Sequence, residues 1–153
     1  MNKFGWTLLL VLFSACSGKE VYSDFRSFPY SEWDSREAIR FKVPIKDASQ
    51  NYDAFFEIRN TNDYPFSNLW LFVDYETPTG DIRSDTLQVE LADVYGKWYG
   101  KGISLYAYSF PYELNIQYPD TGTYIYTIRQ GMRKNPLEGV SDIGLIIREK
   151  TDK

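Results

Sequence analysis

Hydrophobic positions along this chain recur with a period of two. Ile39, Phe41, Val43 and Ile45 alternate with Arg40, Lys42 and Pro44, the pattern of a half-buried strand. Pro44 cannot donate to a ladder, so this strand belongs at a sheet edge or is interrupted there. Residues 52–59 predict a second strand. Residues 69–76 are apolar on both faces at their start, which predicts a central strand of a sandwich. Residues 85–91, 104–110, 112–118, 124–129 and 142–148 continue the series, and turn-forming clusters at 77–81 and 119–122 punctuate it. The single stretch suited to a helix is 130–135, a short one ended by Pro136. The expected fold is all-β: a single antiparallel β-sandwich, jelly-roll-like, with about eight strands and one short helical turn.

The first residues follow a different rule. Lys3 precedes an apolar run over 4–13 whose one polar interruption is Thr7, and the small residues Ser14 and Ala15 lead directly to Cys16. A membrane-spanning helix needs about 20 apolar residues, and this run has half that length. It reads as the apolar core of a secretory signal peptide over residues 1–15. Residues 12–16 resemble the lipobox of bacterial lipoproteins, which implies cleavage before Cys16 and lipid attachment to its thiol. Palmitate-class acyl chains on one cysteine, several together, give stable membrane anchoring. Ser17 rather than Asp follows, which by the same resemblance favours the outer membrane. Cys16 is the only cysteine, so the exported domain has no internal disulfide. Residues 16–35 are expected to be a lipidated N-terminus and tether that starts to pack around residues 28–33, and residues 36–150 the β-sandwich domain. No second domain or internal repeat is visible.

Composition narrows the function. The formal charge is −4, and removal of Lys3 makes it more negative, so no nucleic-acid partner is expected. There is no histidine, which excludes Ser-His-Asp and Cys-His catalysis and most zinc sites. Carboxylates are abundant, but no nucleophile stands beside an evident base, so the chain is read as a non-enzyme without a catalytic residue. Asp63 with Asp53 or Asp74 matches no EF-hand spacing; no metal and no cofactor are expected. Aromatics make up 18% of the chain, 13 of them Tyr and 4 Trp. They serve either to stabilise sheets or to build a binding face.

The strongest candidate for a binding surface is Gly96-Lys97-Trp98-Tyr99-Gly100-Lys101-Gly102, with Trp70 as a further aromatic. The glycines allow close approach of another backbone, and the rings and lysines suit a sugar ring or a protein partner. The competing reading is a bulged strand with Trp98 in the core. The segment is not a phosphate loop, because the GxxxxGK[ST] spacing is absent. Residues 60–68 read as a rigid loop in which Phe66 plugs the core, and Arg133 is expected to pair with Asp142 or a backbone carbonyl.

Residues 60–69 (NTNDYPFSNL), 93–102 (DVYGKWYGKG), 119–133 (PDTGTYIYTIRQGMR) and 137–147 (LEGVSDIGLII), in that order behind a lipobox, resemble the gliding-motility lipoprotein GldH family of Bacteroidetes. The resemblance implies an outer-membrane lipoprotein, a structural or assembly component of the gliding machinery linked to type IX secretion. It also implies protein partners in that apparatus and contact with the membrane through the lipid anchor. The alternative reading is a surface carbohydrate-binding module with a glycan ligand held by Trp98 and Trp70.

Overall fold

The structure, a computed structural model, describes residues 18–150. Ten strands run in the order β1 (Lys19–Ser27), β2 (Glu32–Trp33), β3 (Ile39–Ile45), β4 (Asn51–Thr61), β5 (Asn68–Glu76), β6 (Ile82–Glu90), β7 (Leu105–Gln117), β8 (Gly122–Gln130), β9 (Leu137–Glu138) and β10 (Val140–Glu149). One four-stranded sheet has the order β1-β10-β4-β7 and the other β3-β8-β5-β6, while β2 and β9 form a small separate ladder. Among the eight long strands, the first pairs with the last, the second with the seventh, the third with the sixth and the fourth with the fifth. That nesting is a long antiparallel hairpin rolled into two sheets, the jelly roll expected from the alternation.

Alternation along each strand produces the core. On β3 and β4 every second residue is buried, and Phe41, Val43, Ala54, Phe56 and Ile58 are fully enclosed. β10 is buried almost throughout because it is an inner strand whose outer face is also covered: Phe25 of β1 lies over Gly144, where a Cβ would stand 2.3 Å from the ring. β3 is an edge strand, as Pro44 requires.

Four expectations are corrected. The segment read as a tether is a strand: β1 pairs with β10 along its length, and β2 follows it. Its alternation is hidden because β1 is an edge strand whose register slips between Glu20 and Tyr22. Residues 104–110 and 112–118 are one strand, β7, which runs through Pro111; an edge position tolerates the missing N–H. The expected helix over 130–135 does not form. Buried Gln130 takes the Met132 N–H on its Oε1 at 2.8 Å and donates Nε2 to the Lys134 carbonyl at 3.3 Å, so its side chain organises an extended loop. The helical turn lies instead at Pro29–Ser31. Finally, β5 is the central strand expected, between β8 and β6, but only one of its apolar faces is buried: Leu69, Leu71 and Val73 point inward, while Trp70 and Phe72 stand on the outer surface.

Tyrosines account for much of the aromatic content. Tyr52, Tyr118, Tyr124 and Tyr126 are buried together at one end, with ring centroids 4.6 Å apart for Tyr118 and Tyr124 and 5.3 Å for Tyr52 and Tyr118. Each hydroxyl is satisfied. Tyr118 and Tyr126 share a bond of 2.8 Å, Tyr52 donates to the Asp47 carbonyl at 2.6 Å, and Tyr124 donates to the Asp120 carbonyl at 2.8 Å.

Burial pushes the Tyr118 phenol up to about 12 and raises Tyr126 as well. An unfolded tyrosine ionises near 10, so the folded state holds these protons more tightly. Stability should therefore be unaffected by these groups below about pH 10 and fall as pH rises towards 12. Circular-dichroism melting between about pH 9 and 12 should show that decline, with a shallower slope in Tyr118→Phe/Tyr126→Phe; equal slopes would refute the assignment. Gly139 has φ +81°, and a Cβ there would stand 2.3 Å from the Tyr64 nitrogen. Gly139→Ala should cost about 2 kcal/mol or more in chemical denaturation, whereas Gly80→Ala, at φ +91° in open space, carries the backbone cost alone.

Candidate interaction surface

The register of the first sheet defines two ends of the molecule. Lys19, Glu149, Tyr52 and Ile116 form one row across it, at the end where the chain emerges from Cys16. Ser27, Asp142, Arg59 and Ala107 form a row near the other. All the long connections, 28–38, 62–67, 91–104 and 131–136, lie at this far end. Of the stretches that carry the family resemblance, 60–69 and 93–102 lie at this pole, together with the end of 119–133 and the start of 137–147. Cys16 lies outside the described residues.

The segment from Gly96 to Lys101 is built from the backbone outward. Asp93 Oδ1 accepts the N–H groups of Tyr95 and Lys97, both at 2.9 Å, and closes a tight turn in which Gly96 takes φ +80°. Trp98 then bridges to Ala92, and Lys101 to Ala107 of β7. Gly102 admits the close approach of β7, since a Cβ there would collide with the Leu105 carbonyl. Lys97, Tyr99 and Lys101 are exposed.

Trp98 is half-buried. Its ring lies 6.2 Å from Tyr64 and 6.0 Å from Tyr106, and Nε1 donates to Asn62 Oδ1 at 3.2 Å. It wedges the 62–67 loop against β7, so the bulged, core-facing reading describes Trp98 better than a free recognition ring. In that loop the core plug is Tyr64, 3% exposed and donating to the Asn68 carbonyl at 2.7 Å; Phe66 packs edge-on against it from a half-buried position. Asp142 pairs with Ser27 and Ser141 rather than with Arg133.

Trp70 belongs elsewhere. It stands on the outer face of β5 beside Phe72, 38% and 43% exposed, and shares a shallow hollow with Phe66, Met132 and Arg133. None of residues 96–101 lines that hollow. The most exposed large apolar side chains were missed by sequence reasoning: Tyr30 is 96% exposed, Val94 and Tyr95 93% each, and Ile103 92%. All four lie in far-end connections. Tyr30 also holds φ +57°, uncommon for a residue with a Cβ. The aromatic run around Tyr30 was visible, but exposure is a property of the assembled fold.

Truncating Trp98 should cost stability rather than binding alone. Trp98→Ala is expected to lower unfolding free energy by about 2–3 kcal/mol, whereas Tyr95→Ala should stay within about 0.5 kcal/mol of the parent. Urea denaturation of both variants checks this, and a neutral Trp98→Ala would restore the free-ring reading.

Some surface carboxylates are engaged in ion pairs, among them Glu113 with Arg83 at 2.6 Å and Asp74 with Arg129 at 2.9 Å. Among the described residues no group of three or more metal-ligating side chains converges. With the geometry in place, similarity to known proteins can be stated. A family model described as GldH lipoprotein matches residues 20–147. A gliding motility lipoprotein GldH homolog of Christiangramia forsetii is 36% identical, the match covering 97% of this chain and 95% of that protein. The gliding motility lipoprotein GldH of Flavobacterium johnsoniae is 30% identical over 94% and 93%. Among solved structures, a carbohydrate-binding module specific for non-crystalline cellulose aligns with TM-score 0.47 and 13% identity over 85% of this chain and 75% of that one. A mitogen from Yersinia pseudotuberculosis aligns with TM-score 0.38 and 9% identity over 86% and 89%. Likenesses that distant add nothing to the reading of this chain. The sequence match spans the described sandwich from β1 to β10, and the chain belongs to the GldH lipoprotein family, which is linked to gliding motility.

Proposed function

We propose that this protein is an outer-membrane lipoprotein, held by lipid on Cys16, that acts as a non-catalytic structural or assembly component of the gliding machinery linked to type IX secretion. The observation that carries the reading is the polarity of the domain. Lys19, three residues after Cys16 in the sequence, begins β1 at one end, and Tyr30, Val94, Tyr95 and Ile103 stand almost fully exposed at the other. Tyrosines left in water at one pole suit a protein partner, because tyrosine is enriched at the energetic centre of interfaces, and Val94 and Ile103 add exposed apolar area beside them. The polar ring at this pole, including Lys97, Lys101, Asp63 and Glu138, resembles the rim of such a patch. A chain without histidine fits holding better than turnover.

A second reading, a glycan-binding module, is favoured by one observation: Trp70 and Phe72 stand side by side on the outer sheet face with Gln88 and Arg129 as their strand neighbours. Glycan-array binding lost in Trp70→Ala would support it, and an array without signal would remove it.

The main reading is tested by complementing a deletion strain. Cys16→Ser should leave the protein folded but absent from the membrane fraction. A variant combining Tyr30→Ser, Val94→Ser, Tyr95→Ser and Ile103→Ser should keep its melting temperature and its membrane fractionation and fail to restore surface spreading. Full gliding with that variant would sink the far-end interface.

A further inference from the structure

The chain enters the sandwich with almost no slack. Gly18 lies against the end of β10, and a Cβ there would stand 2.1 Å from the Glu149 carbonyl oxygen, so a glycine is needed for the backbone to pass. Cys16 is two residues earlier, and two residues span at most about 7 Å even when fully extended. A lipid on Cys16 therefore holds this end of the sandwich against the headgroup layer, whatever path the link takes.

Beside that entry the two sheets part between β1 and β3, and a cleft of about 550 Å³ opens at the near end. That volume falls within the range of small-ligand sites. Val21 and Pro44 contribute apolar surface to it, while Lys19, Lys46, Asp47 and Glu149 bring charges of both signs. Neither Lys19 nor Lys46 forms an ion pair among the described residues. Asp47 accepts from the Ser49 N–H at 2.9 Å and from its hydroxyl at 2.6 Å, bonds that hold its carboxyl below the usual range and keep it charged. The Tyr52 hydroxyl, bonded to the Asp47 carbonyl, fixes this loop to the core.

We propose that this cleft seats a phosphoethanolamine headgroup of the membrane that holds the Cys16 lipid, an inference that rests on the lipid anchoring assigned above. The Lys19 and Lys46 ammonium groups would donate to the phosphate oxygens, and the primary ammonium would donate to Asp47 and Glu149. A phosphoglycerol headgroup has no cation for the carboxylates. A phosphocholine headgroup has the charge but no N–H donor. The short link supplies a high local concentration of headgroups, so a weak intrinsic affinity suffices. Occupancy would fix the tilt of the domain and aim its far end away from the bilayer.

The lipidated full chain is reconstituted in vesicles of phosphatidylcholine alone, with added phosphatidylethanolamine, or with added phosphatidylglycerol. Amide hydrogen exchange is followed over residues 18–22 and 45–50, with Leu71 and Val73 as core references. Exchange over both segments should slow about tenfold in the phosphatidylethanolamine membrane relative to the other two. Lys19→Ala/Lys46→Ala should erase that difference and leave Leu71 and Val73 unchanged. Equal exchange in the three membranes, or a lipid effect that the double variant retains, overturns the headgroup seat. A chain that fails to float with any vesicle overturns the lipid anchor, and the seat with it.

Discussion

The antiparallel ladder between β1 and β10 joins the first strand of the domain to the last, and the nested pairing of the other strands follows from it. Without β1, β10 would become a sheet edge with a row of unpaired backbone groups. Its outer face, including Gly144 beneath the Phe25 ring, would lose its cover. Because β1 begins at Lys19 in register with Glu149, the start of the first strand and the C-terminal end of β10 share one pole of the sandwich. The opposite pole collects the long connections.

Aromatic side chains follow that polarity. At the near end they are interior, and buried phenols are affordable there because loop carbonyls and neighbouring hydroxyls satisfy each one. Trp33 stacks on Phe28 at 4.7 Å and donates to the Glu37 carbonyl, while Trp98 clamps the 62–67 loop. These rings are structural. The remaining large apolar side chains at the far end, Tyr30, Val94, Tyr95 and Ile103, have no interior partner and face solvent.

Strands with one buried face were readable from alternation alone, because a residue pointing inward must be apolar wherever its neighbour points to water. β3, β4 and β8 appear close to their expected bounds for this reason. Edge strands were not so readable. β1 is half-exposed on both faces and carries a register slip, so its residues look like those of a polar tether. β5 misled in the other direction: Trp70 and Phe72 are apolar but face outward, and hydropathy cannot tell a core position from an exposed platform. The loop after β8 was read as a helix because local propensity does not register a buried Gln130 that supplies the hydrogen bonds a helix would otherwise make.

By itself the sequence determined the all-β class and the lack of histidine, since each depends on composition or on short-range periodicity. Only the tertiary structure decided that Trp98 is a wedge, that none of residues 96–101 lines the hollow beside Trp70, and that the prominent exposed side chains sit at the pole opposite the start of β1. Those properties depend on which loops are brought together by strand pairings separated by up to about 130 residues, as between Lys19 and Glu149. Local sequence patterns carry almost no trace of such pairings, because a strand's period records only which face is buried and not what lies against it.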